Sequence, residues 1–160
     1  MHNDEYYLTR AVQLAANNVA EGGRPFGAVL VKNDQVLAEA VNSIHLTQDP
    51  TAHAELLAIR NASQQLGVRL DGCVIYASGQ PCPMCLSAMH LCGVSRVVYA
   101  ASNEQGEPFG LSTAAIYRQM ALPVRDQALP VKHVEYPAMI DIYRDWQARQ
   151  VPPPSGPGSE

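Results

Sequence analysis

The sequence predicts an α/β fold in which helices cover both faces of a mixed β-sheet. Two observations carry this prediction: segments with strand and helix periodicity alternate along the chain, and a single short hairpin stands among strands that are linked by helices. With 160 residues, of which 47% are hydrophobic and 16% charged, the chain has the size and composition of one globular domain with a real core.

The first half of the chain predicts a helix, a hairpin and a second helix. Apolar residues near helical spacing predict the first helix over residues 4–20, with Asp4 as its candidate N-cap. The stretch FGAVLVK predicts a buried strand, NDQ a turn and VLAEAVN the partner strand. A loop is expected over residues 43–50, and the next helix over residues 52–65, ending at Gly67.

The second half predicts further alternation of strands and helices. A β-branched and aromatic strand covers residues 73–77, and a helix with Pro83 in its first turn covers 82–92. The remaining expected elements are a strand at 95–101, an irregular loop at 102–113, a short helix at 114–120, a loop at 122–130, a last strand at 131–136 and a last helix at 139–150. We expect one domain over residues 1–149 and a disordered Pro/Gly-rich tail over 150–160.

Composition and charge narrow the classes of function. The sequence has no run of eighteen apolar residues and no apolar segment at its N-terminus, so we expect a cytoplasmic protein that neither spans a membrane nor carries a secretory signal. The net charge is −4 and Lys and Arg form no block, which argues against a nucleic-acid partner without excluding one.

Two cysteines and a histidine have the pattern of a metal site. Cys82 and Cys85 lie three residues apart at a predicted helix start, so both sulfurs can reach one ion. His53 also lies at a predicted helix start, and a ligand set of imidazole and thiolates favours zinc. Cys92 is about 10 Å further along its helix, too far for the same ion, and Cys73 fits a core position.

Three protein ligands leave one tetrahedral position open, which is typical of a catalytic zinc site. Zinc brings the pKa of a water in that position to about 7, and Glu55, two residues after His53, can then take its proton. A structural zinc module would need a fourth protein ligand, and a redox Cys-x-x-Cys pair would not account for His53 or Glu55.

The same residues carry a resemblance to a known family. HAE at 53–55 and PCPMC at 81–85 match the H-x-E…P-C-x-x-C signature of zinc-dependent nucleobase deaminases. The chain resembles the cytidine deaminase-like superfamily over residues 7–148, and it is most similar to the bacterial guanine deaminase branch. Further matching stretches are RPFGAVLV at 24–31, Asn42, DPTAHAE at 49–55, RVVYAAS at 96–102 and the last helix with Trp146.

The resemblance implies a structure and a set of roles. It implies a three-layer α/β/α sandwich around a mixed five-stranded sheet, and a homodimer in which a C-terminal segment is exchanged between subunits. It further implies one Zn²⁺ per subunit and a small-molecule amino-heterocycle as substrate. The implied roles are zinc ligation by His53, Cys82 and Cys85, proton transfer by Glu55, and substrate binding by Asn42, Phe26 and Ala54, although core packing explains Phe26 equally well.

Some positions depart from the guanine deaminase branch. Gln80 stands where a glutamate usually precedes Pro-Cys, and Ser112 and Thr113 replace acidic residues of a substrate loop. Neither Glu135 nor Asp141 aligns confidently with a glutamate that the branch places near its substrate. Guanine is therefore the first candidate substrate, while cytosine, isocytosine, an aminopurine, a nucleoside and tRNA adenosine remain alternatives.

Three further side chains have no assigned role. His90 lies on the helix that carries Cys85, Phe109 lies in the 102–113 loop, and Trp146 lies on the last helix. The ordinary expectations are an exposed helix residue for His90, loop packing or base stacking for Phe109, and an anchor to the core or to a partner subunit for Trp146.

Overall fold

The computed structural model describes residues 2–150, and the chain divides between Pro123 and Val124 into two compact units. Every strand and both metal-ligand helices of the described residues belong to the first unit. The second unit contains a 3₁₀ turn, Val124–Asp126, and the last helix.

The first helix, α1, covers Asp4–Ala20, as predicted. Its N-cap is Asn3, whose side chain accepts a hydrogen bond from the Tyr6 N–H, so the expectation of Asp4 as cap is wrong by one residue. Asp4 instead pairs with Arg96, 92 residues further along the chain. A contact over that distance leaves no local sequence signal.

The predicted hairpin forms next, from β1 (Gly27–Lys32) and β2 (Gln35–Val41). Asn33 and Asp34 make the turn with φ of 50° and 61°, the positive values that two-residue hairpin turns need. Helix α1 lies close to β1, because a Cβ on Gly27 would stand 2.5 Å from the Ala11 carbonyl oxygen. A side chain at position 27 would therefore push the helix off the sheet.

The stretch expected as loop, 43–50, contains a single helical turn, α2 (Ile44–Thr47). It is closed by Gln48 in the left-handed conformation, with φ of 57°. Helix α3 then covers Ala54–Leu66 and ends at Gly67, close to its predicted bounds.

The next three elements follow the prediction closely. They are β3 (Cys73–Gly79), α4 (Pro83–Cys92) and β4 (Arg96–Ala101). Helix α4 begins with Pro83 in its first turn and ends at Gly93 with φ of 77°. The two strands on either side of α4 pair in parallel, as expected for a strand–helix–strand unit.

The loop after β4 is more ordered than expected. It contains a short helix, α5 (Asn103–Gly106), with a reciprocal capping box between Ser102 and Gln105. A 3₁₀ turn, Glu107–Phe109, follows, and the predicted short helix is α6 (Ala114–Met120).

The sheet of the described residues has four strands in the order β2-β1-β3-β4, with β1 antiparallel to both of its neighbours. The mixed sheet is confirmed, but the expectation of five strands is wrong, because residues 131–136 form no strand. All six of these residues are exposed. Strand propensity reflects packing on a pleated, half-buried surface, so Val131, Val134 and Tyr136 do not form a strand without a partner.

Helices pack on both faces of the sheet, which confirms the three layers. Tyr7 and Ala11 of α1 pack against Val29, Val31 and Tyr76 on one face. The other face packs against α3 and α4 in a larger cluster, which includes Ala28, Leu30, Ala58, Cys73, Ile75, Cys85 and Met89. The alternation of Ala28 and Leu30 with Val29 and Val31 is the period of two that a strand imposes.

The second unit holds the last helix, α7, over Pro137–Gln150. It begins two residues before the predicted start, and its apolar side chains are exposed, including Ile142 at 56% and Trp146 at 63%. Residues 151–160 of the predicted tail lie outside the described residues. Within residues 2–150, no helix combines the length and the apolar character that crossing a membrane would require.

Candidate active site

The N-termini of α3 and α4 bring the three predicted metal ligands together. His53 is the N-cap residue of α3, and Cys82 is the N-cap residue of α4. The Nδ1 atom of His53 lies 3.4 Å from the sulfur of Cys82 and 3.6 Å from that of Cys85. The ligand atoms of all three residues lie within 4.8 Å of one another.

These distances fit a tetrahedral zinc ion. With Zn–S near 2.3 Å, Zn–N near 2.05 Å and tetrahedral angles, a nitrogen and a sulfur on one ion are about 3.6 Å apart. Imidazole with two sulfurs is a donor set that zinc prefers over magnesium or calcium. The arrangement and the chemistry of the donors therefore both fit zinc.

The two sulfurs have different electrostatic environments. A hydrogen bond from the Cys85 thiol, together with His53 and the Cys85 backbone N–H, lowers the pKa of Cys82 to about 4. The same sharing of one proton, together with burial, raises the pKa of the Cys85 thiol. The contact with Cys82 also raises the pKa of His53. Cys82 is thus the sulfur prepared to act as a thiolate at neutral pH.

Glu55 is a buried carboxyl beside the ligand cluster. It lies in the first turn of α3, two residues after His53, and only 6% of the residue is exposed. Burial raises the pKa of its side chain. A carboxyl with a raised pKa next to metal ligands is suited to accept and return a proton during a reaction.

A cavity of about 160 Å³ opens at these residues. His53, Glu55 and Cys82 line it, while Cys85 is fully buried behind it. A cavity of this size can hold a small aromatic molecule, since an engineered protein cavity of about 150 Å³ holds benzene. The other lining residues are Arg24, Phe26, Asn42, Gln80, Gly110, Leu111, Ser112 and Thr113.

Two of the three predicted substrate contacts line this cavity. Asn42 is buried, and its Oδ1 accepts a hydrogen bond from the Ile44 N–H at 3.1 Å, which leaves its Nδ2 group to donate. Phe26 is half-buried at the cavity wall and close to Gly79. Ala54 is fully buried and does not line the cavity, so its backbone contact with a substrate stays a prediction.

Part of the cavity wall comes from the loop between β4 and α6. Gly110, Leu111, Ser112 and Thr113 supply this wall. The sequence marks Ser112 and Thr113 only as replacements for acidic residues.

Two polar lining residues had received no role from the sequence. Arg24 is exposed at the cavity, and its charge opposes protonation of His53. Its only sequence signal is its place directly before Pro25 and Phe26. Gln80 lines the cavity and links it to the loop after β4, because its Oε1 accepts a hydrogen bond from the Asn103 N–H at 2.9 Å.

Several other candidates lie away from the cavity. His90 and Phe109 are exposed and do not line it. Cys73 is fully buried in the core, as predicted. Cys92 is also buried, and its sulfur contacts the carbonyl oxygen of Met89 rather than the ligand cluster.

Comparison with known families agrees with this site. The model of the cytidine and deoxycytidylate deaminase zinc-binding region matches residues 1–101. This chain belongs to that family. It is therefore a zinc-dependent deaminase, an enzyme that hydrolyses a C–N bond, and the His53, Cys82 and Cys85 group is positioned to hold the metal.

Individual relatives cover most of the chain. The chain is 39% identical to a guanine deaminase from Bacillus subtilis over 147 residues, which is 91% of this chain and 94% of that protein. An X-ray structure of the Bacillus subtilis guanine deaminase superposes with a TM-score of 0.86 at 38% identity, covering 92% of this chain and 95% of the other. A tRNA-specific adenosine deaminase from Bacillus subtilis is 40% identical over 107 residues, 66% of each chain.

Proposed function

We propose that this enzyme removes an exocyclic amine from a free nucleobase or a similar amino-heterocycle, with guanine as the first candidate substrate. The observation that carries the proposal is that one cavity of about 160 Å³ is lined by Glu55 and by two of the three metal ligands, His53 and Cys82. The similarity to guanine deaminases over more than nine-tenths of the chain supports guanine in particular.

The residues have distinct tasks in this reaction. His53, Cys82 and Cys85 hold the zinc ion, which, when bound, supplies a Lewis acid that lowers the pKa of water. Glu55 accepts a proton from the attacking water and delivers it to the ring nitrogen beside the amine-bearing carbon. It then helps the amine leave as ammonia. Its burial raises its pKa toward the working pH, which suits both steps.

The remaining cavity residues bind and orient the heterocycle. Asn42 donates from Nδ2 to an acceptor on the ring, because its Oδ1 is engaged by Ile44. Phe26 forms an apolar wall against the ring face. Ala54, although fully buried, is proposed to offer backbone contacts beside the base. This packing excludes water and holds the amine-bearing carbon near the ligand cluster.

The size of the cavity favours a free base over larger substrates. At about 160 Å³ it suits a free base better than a nucleoside or a tRNA loop. The chain also has only 11 Lys and Arg residues against 15 Asp and Glu, which disfavours a polyanionic substrate. A tRNA adenosine deaminase is therefore the weaker alternative, although relatives of that kind match two-thirds of the chain.

An ammonia-release screen tests the proposal. Zinc-loaded enzyme is incubated with guanine, cytosine, isocytosine, adenine and their nucleosides, and with an unmodified tRNA substrate. We expect turnover of free bases, with guanine foremost, and none of tRNA. Ammonia from tRNA adenosine alone would contradict the proposal, and so would the absence of ammonia from every heterocycle.

We further propose that the chain forms a single deaminase domain over residues 1–149, followed by a tail, and that the protein is cytoplasmic. We also propose a homodimer in which residues after Pro123 are exchanged between subunits. The exposed apolar residues of the second unit support an exchange, since Ile140, Ile142, Tyr143 and Trp146 are each about half exposed or more. Size-exclusion chromatography with light scattering should give twice the chain mass of 17.3 kDa. A monomeric mass at micromolar concentration would refute the dimer.

A further inference from the structure

The part of the cavity wall that comes from the loop between β4 and α6 contains two hydroxyl residues. Ser112 and Thr113 are half-buried, line the cavity and carry no charge. A hydroxyl can donate one hydrogen bond and accept others, so its role depends on which of these capacities the protein already uses. The hydrogen bonds of each hydroxyl decide what it can offer to a substrate.

The Ser112 hydroxyl is available as a donor. Its Oγ accepts a hydrogen bond from the Ala114 N–H at 3.1 Å, in the first turn of α6. This backbone donor occupies acceptor capacity of the oxygen and leaves the O–H proton to be given elsewhere. Ser112 therefore offers a hydrogen-bond donor to a ligand in the cavity.

The Thr113 hydroxyl has the opposite polarity. Asn103 Oδ1 accepts the Thr113 N–H at 3.1 Å, which identifies that atom of the Asn103 amide as its oxygen. The Thr113 Oγ1 lies 3.4 Å from the same Oδ1, and because an amide oxygen can only accept, the Thr113 hydroxyl is the donor of this long hydrogen bond. With its proton used, Thr113 offers lone pairs, so that it is an acceptor toward the cavity.

The loop is braced so that this polarity is fixed. The Asn103 N–H donates to Gln80 Oε1 at 2.9 Å, and Gln80 is itself held by its backbone N–H on the Ala101 carbonyl at 2.7 Å. Asn103 therefore contacts Thr113 of the cavity wall through its side chain, and Gln80 at the end of β3 through its backbone N–H. Both hydroxyl residues are thus held at this wall by contacts that are independent of any ligand.

We propose that Ser112 and Thr113 read a lactam edge on the substrate, a ring carbonyl next to a ring N–H, with Ser112 donating to the carbonyl oxygen and Thr113 accepting from the N–H. The inference rests on the proposed function and specifies its substrate class. Guanine carries this edge beside its amine-bearing carbon, and so does isocytosine. Adenine, 2-aminopurine and 2,6-diaminopurine have no ring carbonyl, and the ring carbonyl and ring N–H of cytosine do not lie beside its amine-bearing carbon.

The wall therefore selects 2-amino-oxo heterocycles without any carboxylate. A site that matches a substrate's hydrogen-bonding groups rejects an analogue that lacks them, because the buried polar groups are then left unpaired. The acceptor Thr113 is the more selective of the two, since 2-aminopurine and 2,6-diaminopurine present an unprotonated ring nitrogen to it. Two acceptors facing each other repel.

The test compares kcat/KM for guanine with that for 2-aminopurine, first in the zinc-loaded wild type. We expect guanine to be preferred by about 100-fold or more. Ser112→Ala and Thr113→Val should each lower the guanine value about tenfold while changing the 2-aminopurine value little. Thr113→Ser keeps the hydroxyl and should restore most of the preference.

Matched controls separate a specific effect from a general loss. Thr9→Val replaces an exposed threonine on α1 and should leave both values unchanged. If 2-aminopurine or 2,6-diaminopurine equals guanine in the wild type, or if both variants lower all substrates equally, the lactam proposal is wrong while the proposed deaminase function stands. If no heterocycle releases ammonia from wild-type enzyme, the proposed function itself fails.

Discussion

The sulfur of Cys82 lies 3.4 Å from Nδ1 of His53, although the two residues are 29 positions apart in the chain. Each is the N-cap residue of its helix, His53 of α3 and Cys82 of α4. The fold therefore places two helix N-termini together, and the residues at those ends become the ligands. Glu55 follows within the first turn of α3, so the same helix end carries a candidate ligand and the proposed proton carrier.

Replacement of Glu55 by glutamine should remove catalysis and keep the metal. Glutamine has nearly the shape of glutamate but cannot accept the proton, so kcat should fall by about 10²- to 10⁴-fold. Ammonia release and zinc content are measured on the same preparation. A variant that keeps one zinc per chain and turns over at the wild-type rate would remove Glu55 from its proposed role.

Replacement of Cys85 by serine should release the metal. A serine hydroxyl is a far weaker zinc ligand than a thiolate, so the zinc content should fall from one per chain to a small fraction. Cys92→Ser is the matched control, because Cys92 lies on the same helix with its sulfur against the Met89 carbonyl. Equal zinc contents in the two variants would show that Cys85 is not a ligand.

Replacement of Asn42 by aspartate tests substrate binding with little change of shape. An aspartate oxygen can still accept from the Ile44 N–H, but the Nδ2 donor is lost, so kcat/KM should fall about tenfold or more. Thermal unfolding recorded alongside detects any structural damage. A normal kcat/KM in a folded variant would place Asn42 outside the substrate contacts.

Acid should weaken one long-range contact in a defined pH range. Asp4 pairs with Arg96 and accepts a hydrogen bond from Tyr76, and these contacts lower its pKa from 3.8 to about 2. Because the pKa in the folded state is the lower one, the stabilisation is complete above about pH 4 and is lost as the pH falls toward 2.

Asp4→Asn should therefore be less stable than wild type at pH 7, and this difference should shrink as the pH falls from 4 to 2. Urea unfolding at several pH values measures it. Glu5→Gln is the control, because Glu5 lies in the same first helical turn and is exposed. A difference between wild type and Asp4→Asn that stays constant down to pH 2 would argue against the contact as its source.

Local patterns predicted most of the fold and the ligand set. Apolar and β-branched runs bounded by turn residues predicted β1 to β4 to within two residues at each end, and the spacing of Cys82 and Cys85 was enough to propose a shared ion. The prediction of a last strand over residues 131–136 was wrong. Strand propensity is a local property, and it does not reveal whether a partner strand is available.

The cavity wall was not predictable in the same way. Ser112 and Thr113 obtain their hydrogen-bond polarity from Ala114 and Asn103, and Gln80 reaches Asn103 across 23 positions. The contact between Gln80 and Asn103 exists only once the end of β3 and the loop after β4 lie side by side. Arg24 was missed for a similar reason, since only the folded hairpin brings it to the cavity.

Zinc analysis combined with X-ray absorption spectroscopy at the zinc edge of the purified enzyme tests the proposed metal site most directly. We expect one zinc per chain, with two sulfur ligands, one imidazole nitrogen and one light-atom ligand that substrate-sized inhibitors can displace. Sub-stoichiometric metal after zinc loading, or a coordination shell of four protein side chains, would contradict it.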